Sequence, residues 1–192
     1  MADGRAADNM NKFRIRQSLR QKRRSIPKRR RLYAAKALLR HAQPLLRRYC
    51  RIGLYFPLKE EIDPTLMMQA ALKKNKKVYL PVLQGKRLLF ASIETALWKK
   101  NRFGIPEPRG RKASPKNMDI VFVPLLGFDE YRNRLGMGGG FYDRTFAFLK
   151  HRESWRSPRL IGLAFDEQKV DRLPVDPWDM QLDAVITPSG YR

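Results

Sequence analysis

The chain predicts an α/β layer fold with a largely parallel central sheet. Three observations predict it. Short apolar runs alternate with helix-like segments along most of the 192 residues. Turn residues punctuate the runs at intervals suited to strand–helix units. Hydrophobic residues make up 43% of the chain, ordinary for a globular protein and sufficient for a sizeable core.

Taken in order, residues 1–9 read as disordered, and a single domain runs from 10 to 192. Met10 to Arg24 reads as a helix, because Phe13, Ile15 and Leu19 alternate with basic residues at loosely helical spacing. Ser25-Ile26-Pro27 reads as a break, with Ser25 as cap and Pro27 in a first turn. Lys28 to Arg47 reads as a second helix with an apolar face of Leu32, Ala35, Leu38, Leu39 and Leu46, in which Pro44 makes a kink or begins a separate turn. Ile52 to Phe56 is a buried strand, Pro64 to Lys74 a helix and Lys77 to Pro81 a strand. Arg87 to Ser92 is a strand suited to the sheet edge. Leu97 to Asn117, with three prolines and two glycines, reads as a long crossing loop. Met118 to Pro124 is the clearest central strand. Phe141 to His151 is helical, and Leu160 to Ala164 and Asp183 to Thr187 are the last strands.

No apolar run approaches the roughly 20 residues needed to span a bilayer, and there is no signal-like apolar segment near the start. The arginine-rich beginning has some transit-peptide character, which Asp3 and Asp8 weaken. Cys50 is the only cysteine, so no internal disulfide forms, and a cytoplasmic location is the simplest expectation. Cys50 itself reads as a small core or near-core residue. His41 and His151 read as surface residues without a role. The net charge is +23, concentrated at the front: Lys12 to Lys59 holds 17 Lys and Arg and no Asp or Glu. Such a field attracts polyanions. A nucleotide, a glutamate-tailed cofactor and nucleic acid all qualify, as does a plain solvated basic face. On the nucleic-acid reading, Lys22-Arg23-Arg24 and Lys28-Arg29-Arg30-Arg31 would contact backbone phosphates.

The segment richest in chemical meaning is Arg134-Leu135-Gly136-Met137-Gly138-Gly139-Gly140-Phe141-Tyr142-Asp143-Arg144. Four glycines in five residues between a strand and a helix bring backbone N–H groups close to a ligand, and phosphate oxygens suit such a place. A flexible loop would also use glycines. The segment matches neither the P-loop nor the dinucleotide-binding fingerprint. Asp143 is either a metal ligand or a carboxylate stabilised at a helix start. Lys12 and Arg16 stand four apart on one helical face and can reach one ligand. Glu61 can accept hydrogen bonds from N–H donors or be an exposed turn carboxylate.

These residues resemble the 5-formyltetrahydrofolate cyclo-ligase (5,10-methenyltetrahydrofolate synthetase) family. The glycine segment is similar to its hallmark. Lys12-Phe13-Arg14-Ile15-Arg16, Tyr55-Phe56 with Glu61-Ile62, Phe103-Gly104-Ile105-Pro106-Glu107-Pro108, Gly127-Phe128-Asp129 and Ile161-Gly162-Leu163-Ala164-Phe165 follow in the family's order. Gln168, Leu173-Pro174, Asp179 and Asp183 complete the pattern. The resemblance implies a three-layer α/β/α sandwich (NagB/RpiA/CoA transferase-like) and a ligase forming a C–N bond. Its implied reaction is the Mg²⁺- and ATP-dependent conversion of 5-formyltetrahydrofolate to 5,10-methenyltetrahydrofolate, through a phosphorylated formyl oxygen.

By resemblance, Arg134 and Lys12 are catalytic. Lys12, Arg16, Arg134, Gly136, Gly138, Gly139, Gly140 and Tyr142 bind ATP. Phe56, Glu61, Met137, Gly138, Gly139, Gly140 and Phe141 bind the folate, and Asp143 and Asp179 hold the metal; Phe103 and Tyr142 each line the pocket or belong to the core. The expected partners are ATP and a folate that carries one or several glutamates, with no membrane and the chain as monomer. Three positions depart from the family pattern: Arg132 stands where glycine is common, Gly139 where some members have lysine, and Phe141 where tyrosine is usual.

Overall fold

The computed structural model describes residues 2–94, 97–151 and 157–192. In chain order the elements are α1 (Ala2–Arg24), α2 (Lys28–Arg48), β1 (Arg51–Gly53), α3 (Thr65–Leu72), β2 (Lys77–Gln84), β3 (Arg87–Ser92), β4 (Trp98–Lys100), β5 (Pro106–Pro108) and β6 (Lys112–Ala113). There follow β7 (Ile120–Pro124), β8 (Gly127–Phe128), β9 (Arg134–Leu135), α4 (Phe141–Phe146), β10 (Arg159–Leu163), β11 (Ala184–Thr187) and β12 (Gly190–Tyr191). A tight turn of helix, Ala147–His151, extends α4.

Eight of these strands form one sheet in the order β12-β11-β10-β7-β1-β2-β3-β6. The central five, β11, β10, β7, β1 and β2, pair in parallel. The outer strands β12, β3 and β6 pair antiparallel. Successive residues of a strand point to opposite faces, and β7 shows the consequence. Ile120 and Phe122 pack with Ala34, Leu38 and Leu46 of α2 and Met67 of α3. Val121 and Val123 face the other way and pack with Phe146 of α4, Met180 and Leu182. The sheet is therefore sandwiched, with α2 and α3 on one face and α4 on the other. A third cluster, Leu19, Leu126, Leu135 and Leu173, seats α1 across the β8–β9 hairpin.

The structure differs from the sequence expectations at identifiable places. The α1 backbone is helical from Ala2, ahead of the expected start at Met10; Met1 lies outside the described residues. Phe13 is 60% exposed, whereas Lys12 and Arg23 are buried. The inward face of α1 is thus partly basic, because it faces a polar site rather than the core. In α2, Leu32 is exposed while Ala34, Ala37 and Ala42 are buried: small side chains let the helix lie close to the sheet. Pro44 sits inside α2 without ending it, flanked by buried Ala42 and Leu46. Ser25 closes α1 through Ser25 Oγ donating to Lys22 O (2.8 Å) rather than capping α2, whose cap is Pro27. Cys50 is exposed in the bend before β1 rather than in the core.

The stretch Leu97–Asn117 is not a structureless loop. Strands β4 and β5 form a hairpin, and β6 covers β3, so β3 is not the sheet edge. Buried Glu107 holds the hairpin by accepting from Leu83 N of β2 and Asn101 Nδ2, each at 2.9 Å. That buried carboxylate organises the segment, and hydrophobic periodicity does not report it.

Candidate active site

Parallel sheets place ligands beyond the carboxyl ends of their strands, and here a cavity of about 1100 Å³ opens at that end. Pro124, the last residue of β7, and Leu125 just after it line the cavity; Leu58 and Glu61 enter from the segment after β1. The hairpin β8–β9 then carries the chain back, so Arg134 emerges from a short buried strand and not from a loose loop. Asp129 holds the hairpin turn: it accepts from Asn133 N (3.0 Å), Asn133 Nδ2 (3.0 Å) and Leu173 N (3.1 Å). Arg132 in that turn has φ +63°, the left-handed region that favours glycine. It is tied there by Leu182 N donating to its carbonyl (3.0 Å).

Gly136 to Gly140 form the cavity floor, and Gly138 (φ +103°) and Gly140 (φ +60°) adopt backbone that side chains rarely take. Gly140 leads directly into α4, so Tyr142 and Asp143 also line the cavity.

Helix α1 supplies the opposite wall. Lys12, Arg16, Leu19 and Arg23 recur at four- and three-residue spacing and so share one face. Leu19 anchors it against Gly127, where a Cβ would overlap Leu19 Cδ1. Arg16 Nε donates to Gly136 O (3.1 Å), joining this helix to the glycine loop.

Two ion-pair groups dominate the polar end. Lys12 Nζ contacts Asp176 Oδ2 at 2.5 Å and Asp179 Oδ2 at 2.7 Å. Burial alone would lower the Lys12 ammonium, but its hydrogen bonds to both aspartates and their charge hold it above its ordinary value. Arg134 Nη2 contacts Asp143 Oδ1 at 2.5 Å, and Met180 N donates to the same oxygen at 3.1 Å. Among the described residues, Asp143 Oδ2, Asp176 Oδ1 and Asp179 Oδ1 take no part in such bonds and remain as hard oxygen donors. Among the described residues no three His, Cys, Asp or Glu side chains converge tightly enough to hold a metal unaided. Asp143 and Asp179 fit an ion that keeps waters and ligand phosphates in its shell, which is how Mg²⁺ is usually held.

The other end is aromatic and less charged. Phe103 and Phe141 meet edge to face with centroids 6.0 Å apart, and Arg102 lies over both rings. Arg144 crosses Phe141, bonds Gly139 O, and donates to Lys86 O at 2.8 Å. Burial drives the Tyr142 phenol far above its ordinary value, and the charge of Glu61 adds to this, so it stays neutral. Glu61 is not an exposed turn carboxylate: its side chain is 8% exposed. Burial raises its carboxyl; Leu58 N, donating at 3.0 Å, and the charge of Arg23 act against that rise.

The cavity therefore gathers Lys12, Arg16, Glu61, Phe103, Arg134, Gly136, Met137, Gly138, Gly139, Gly140, Phe141, Tyr142, Asp143 and Asp179. Phe56 does not line it; it packs half-buried against Trp98 (5.7 Å) and the sheet core, two residues short of Leu58. His41 is half-buried and bonds Pro188 O, while His151, exposed, borders the cavity mouth. Among the cavity residues, sequence reasoning missed Asp176 and Trp178. For Asp176 the one signal was its spacing, three residues before Asp179.

The family model described as the 5-formyltetrahydrofolate cyclo-ligase family matches residues 8–188. The chain belongs to that family. It is 39% identical over 164 residues to the 5-formyltetrahydrofolate cyclo-ligase of Haemophilus influenzae, covering 80% of this chain and 84% of that one. It is 38% identical over 145 residues to the enzyme of that name from Escherichia coli K12, covering 72% and 78%. Among solved structures it resembles the 5,10-methenyltetrahydrofolate synthetase of Aquifex aeolicus (TM-score 0.80, 28% identity, 94% of this chain and 91% of that one). The synthetase from Mycoplasma pneumoniae is also similar (TM-score 0.71, 25% identity, 92% and 98%). Every cavity residue named above falls within the matched span.

Proposed function

We propose that this chain catalyses the ATP- and Mg²⁺-dependent conversion of 5-formyltetrahydrofolate to 5,10-methenyltetrahydrofolate, releasing ADP and phosphate. The observation that carries this reading is the convergence of Lys12, Arg16 and Arg134 with the glycine floor and two available carboxylates in one cavity whose other end is aromatic. A polyanion beside a flat ring system fits that polarity.

An amide-type oxygen is a poor leaving group, so the formyl oxygen must be activated before the ring can close. In the proposed reaction the formyl oxygen attacks the γ-phosphorus of ATP, forming the C–O–P linkage as the bond to ADP breaks. The second folate nitrogen then attacks the formyl carbon and loses its proton, and the C–O bond breaks to release phosphate. Phosphoryl transfer requires alignment and charge neutralisation rather than covalent help. Lys12 and Arg16 supply positive charge from α1, and Arg134 supplies a planar fork suited to phosphate oxygens. Asp143 and Asp179 would hold Mg²⁺, which neutralises phosphate charge when bound. The Gly136–Gly140 backbone approaches the phosphates without side-chain obstruction. Glu61 accepts from the pterin N–H groups, and Met137 and Phe141 pack against the ring. No helix among the described residues is long and apolar enough to cross a membrane, and the proposal places the enzyme in the cytoplasm as a monomer.

Mixing the protein with Mg-ATP and 5-formyltetrahydrofolate should produce a rise in methenyltetrahydrofolate absorbance that depends on ATP. Folded protein giving no such rise would overturn the proposal.

A further inference from the structure

Arg23 is 2% exposed, although it lies between Lys22 and Arg24 in a triplet suited to solvent. Its guanidinium stands 3.9 Å from Glu61 Oε1, 4.0 Å from Glu60 Oε2 and 3.9 Å from Met137 Sδ. Among the described residues its Nε and Nη1 have no hydrogen-bond partner. A buried guanidinium with idle donors is costly to the fold, because its desolvation is not repaid locally. Its surroundings are nevertheless closely built. Arg31 donates to Arg23 O, to Glu60 O (2.8 Å) and to Ile26 O (3.0 Å), fixing both partner backbones. Arg24 Nε holds Glu60 Oε1 at 2.9 Å.

Glu61 is arranged to receive something. Its Oε2 is occupied by Leu58 N at 3.0 Å, whereas among the described residues Oε1, on the Arg23 side, accepts no hydrogen bond, and the residue lines the cavity. The other titratable groups around it are Glu60 and Asp63 on its own segment, Tyr55 after β1 and Tyr142 on α4. All of these are acids. Among the described residues, Arg23 is the cation at ion-pair distance from Glu61.

We infer that Arg23 is a positioning residue for the folate: it sets a positive charge beside Glu61 while leaving Oε1 open to the pterin donors, and it ties that side chain to Met137 of the glycine loop. The inference rests on the folate reading of the cavity. It also explains the idle donors. A guanidinium that satisfied itself on Oε1 would compete with the ligand, whereas one at 3.9 Å supplies charge and leaves the lone pairs available.

The test uses Arg23→Met and Arg23→Gln, with Arg24→Ala as control and thermal unfolding to verify the fold. In ligand-free protein carrying carbon-13 at glutamate Cδ, the Glu61 titration midpoint should rise by about one unit or more in both Arg23 variants and stay put in Arg24→Ala. Calorimetric affinity for 5-formyltetrahydrofolate near pH 7 should fall about tenfold, its acid limb moving to higher pH, while affinity for a non-hydrolysable ATP analogue is kept. In a Glu61→Gln background, Arg23→Met should add less than about twofold, because the two residues act as one unit. Arg23→Lys, which keeps the charge, covers the case in which the neutral variants do not fold and should stay within about threefold of the parent. An unmoved Glu61 midpoint, undiminished folate affinity or fully additive losses would overturn the inference. If the parent protein binds no folate while the midpoint still moves, the folate reading fails and the Arg23–Glu61 coupling stands.

Discussion

The two ends of the parallel strands use the same chemistry to opposite effect. At the amino end, Asp119 before β7 accepts from Cys50 N (3.0 Å), Arg51 N (2.7 Å), Arg51 Nε (3.0 Å) and Arg51 Nη2 (2.8 Å). Both oxygens are used, and the pair simply staples β1 to β7. At the carboxyl end, among the described residues, Asp143, Asp176, Asp179 and Glu61 each keep an oxygen clear of hydrogen bonds, and Arg23 and Arg134 keep buried N–H groups without partners. A closed pair stabilises. An open pair gives up stability to leave valences for a ligand, so unsatisfied polar groups separate the working end from the structural one.

The strongest way to break that comparison is at Arg134 and Asp143. Arg134→Ala and Asp143→Ala should each lower turnover by about 10²–10³-fold with the fold retained, read from product absorbance and near-ultraviolet circular dichroism. Near-normal rates in both would show that the open pairs are structural after all. Next in size, Lys12→Met should lower kcat/KM for ATP by about 10–100-fold, and steady-state kinetics at varied ATP would measure it.

At the amino end the effect should be on stability alone. Asp119→Asn should cost about 1–2 kcal/mol in urea unfolding and leave kinetic constants unchanged. Burial by itself would raise the Asp119 carboxyl, but the Arg51 N–H and guanidinium and the Cys50 N–H hold it below its ordinary value. The unfolded chain therefore binds the proton first on acidification. The difference between parent and variant should be full above about pH 4 and shrink as pH falls through the lower folded value. The smallest effect belongs to Arg30, whose surface pair with Glu167 spans 2.9 Å. Arg30→Ala should change stability by less than about 0.5 kcal/mol and activity not at all.

The central strands were legible because strands buried on both faces read as continuous apolar runs, as in Ile120-Val121-Phe122-Val123. The hairpin of β4 and β5 was not, because it is held by buried Glu107 and Asn101 rather than by an apolar pattern. The inward face of α1 was not legible for a related reason: periodicity scores hydrophobes, yet Phe13 is exposed and Arg23 is buried. Phe56 is a different case: an aromatic ring in a matched motif carries no information about which side of the chain it faces, and here the ring packs against Trp98.

The sequence by itself determined the layered α/β class, the glycine floor and the acid and base types of the site, because these depend on local composition and on short spacings. Only the tertiary structure decided which charges meet. Lys12 and Asp179 are separated by 167 positions, and Arg23 and Met137 by 114. Packing Leu19 against Gly127 swings α1 across the ends of the strands and closes those distances. Side-chain charge is encoded residue by residue; whether a charge is paired, buried or left open depends on contacts that form only when the whole sheet and its helices are assembled.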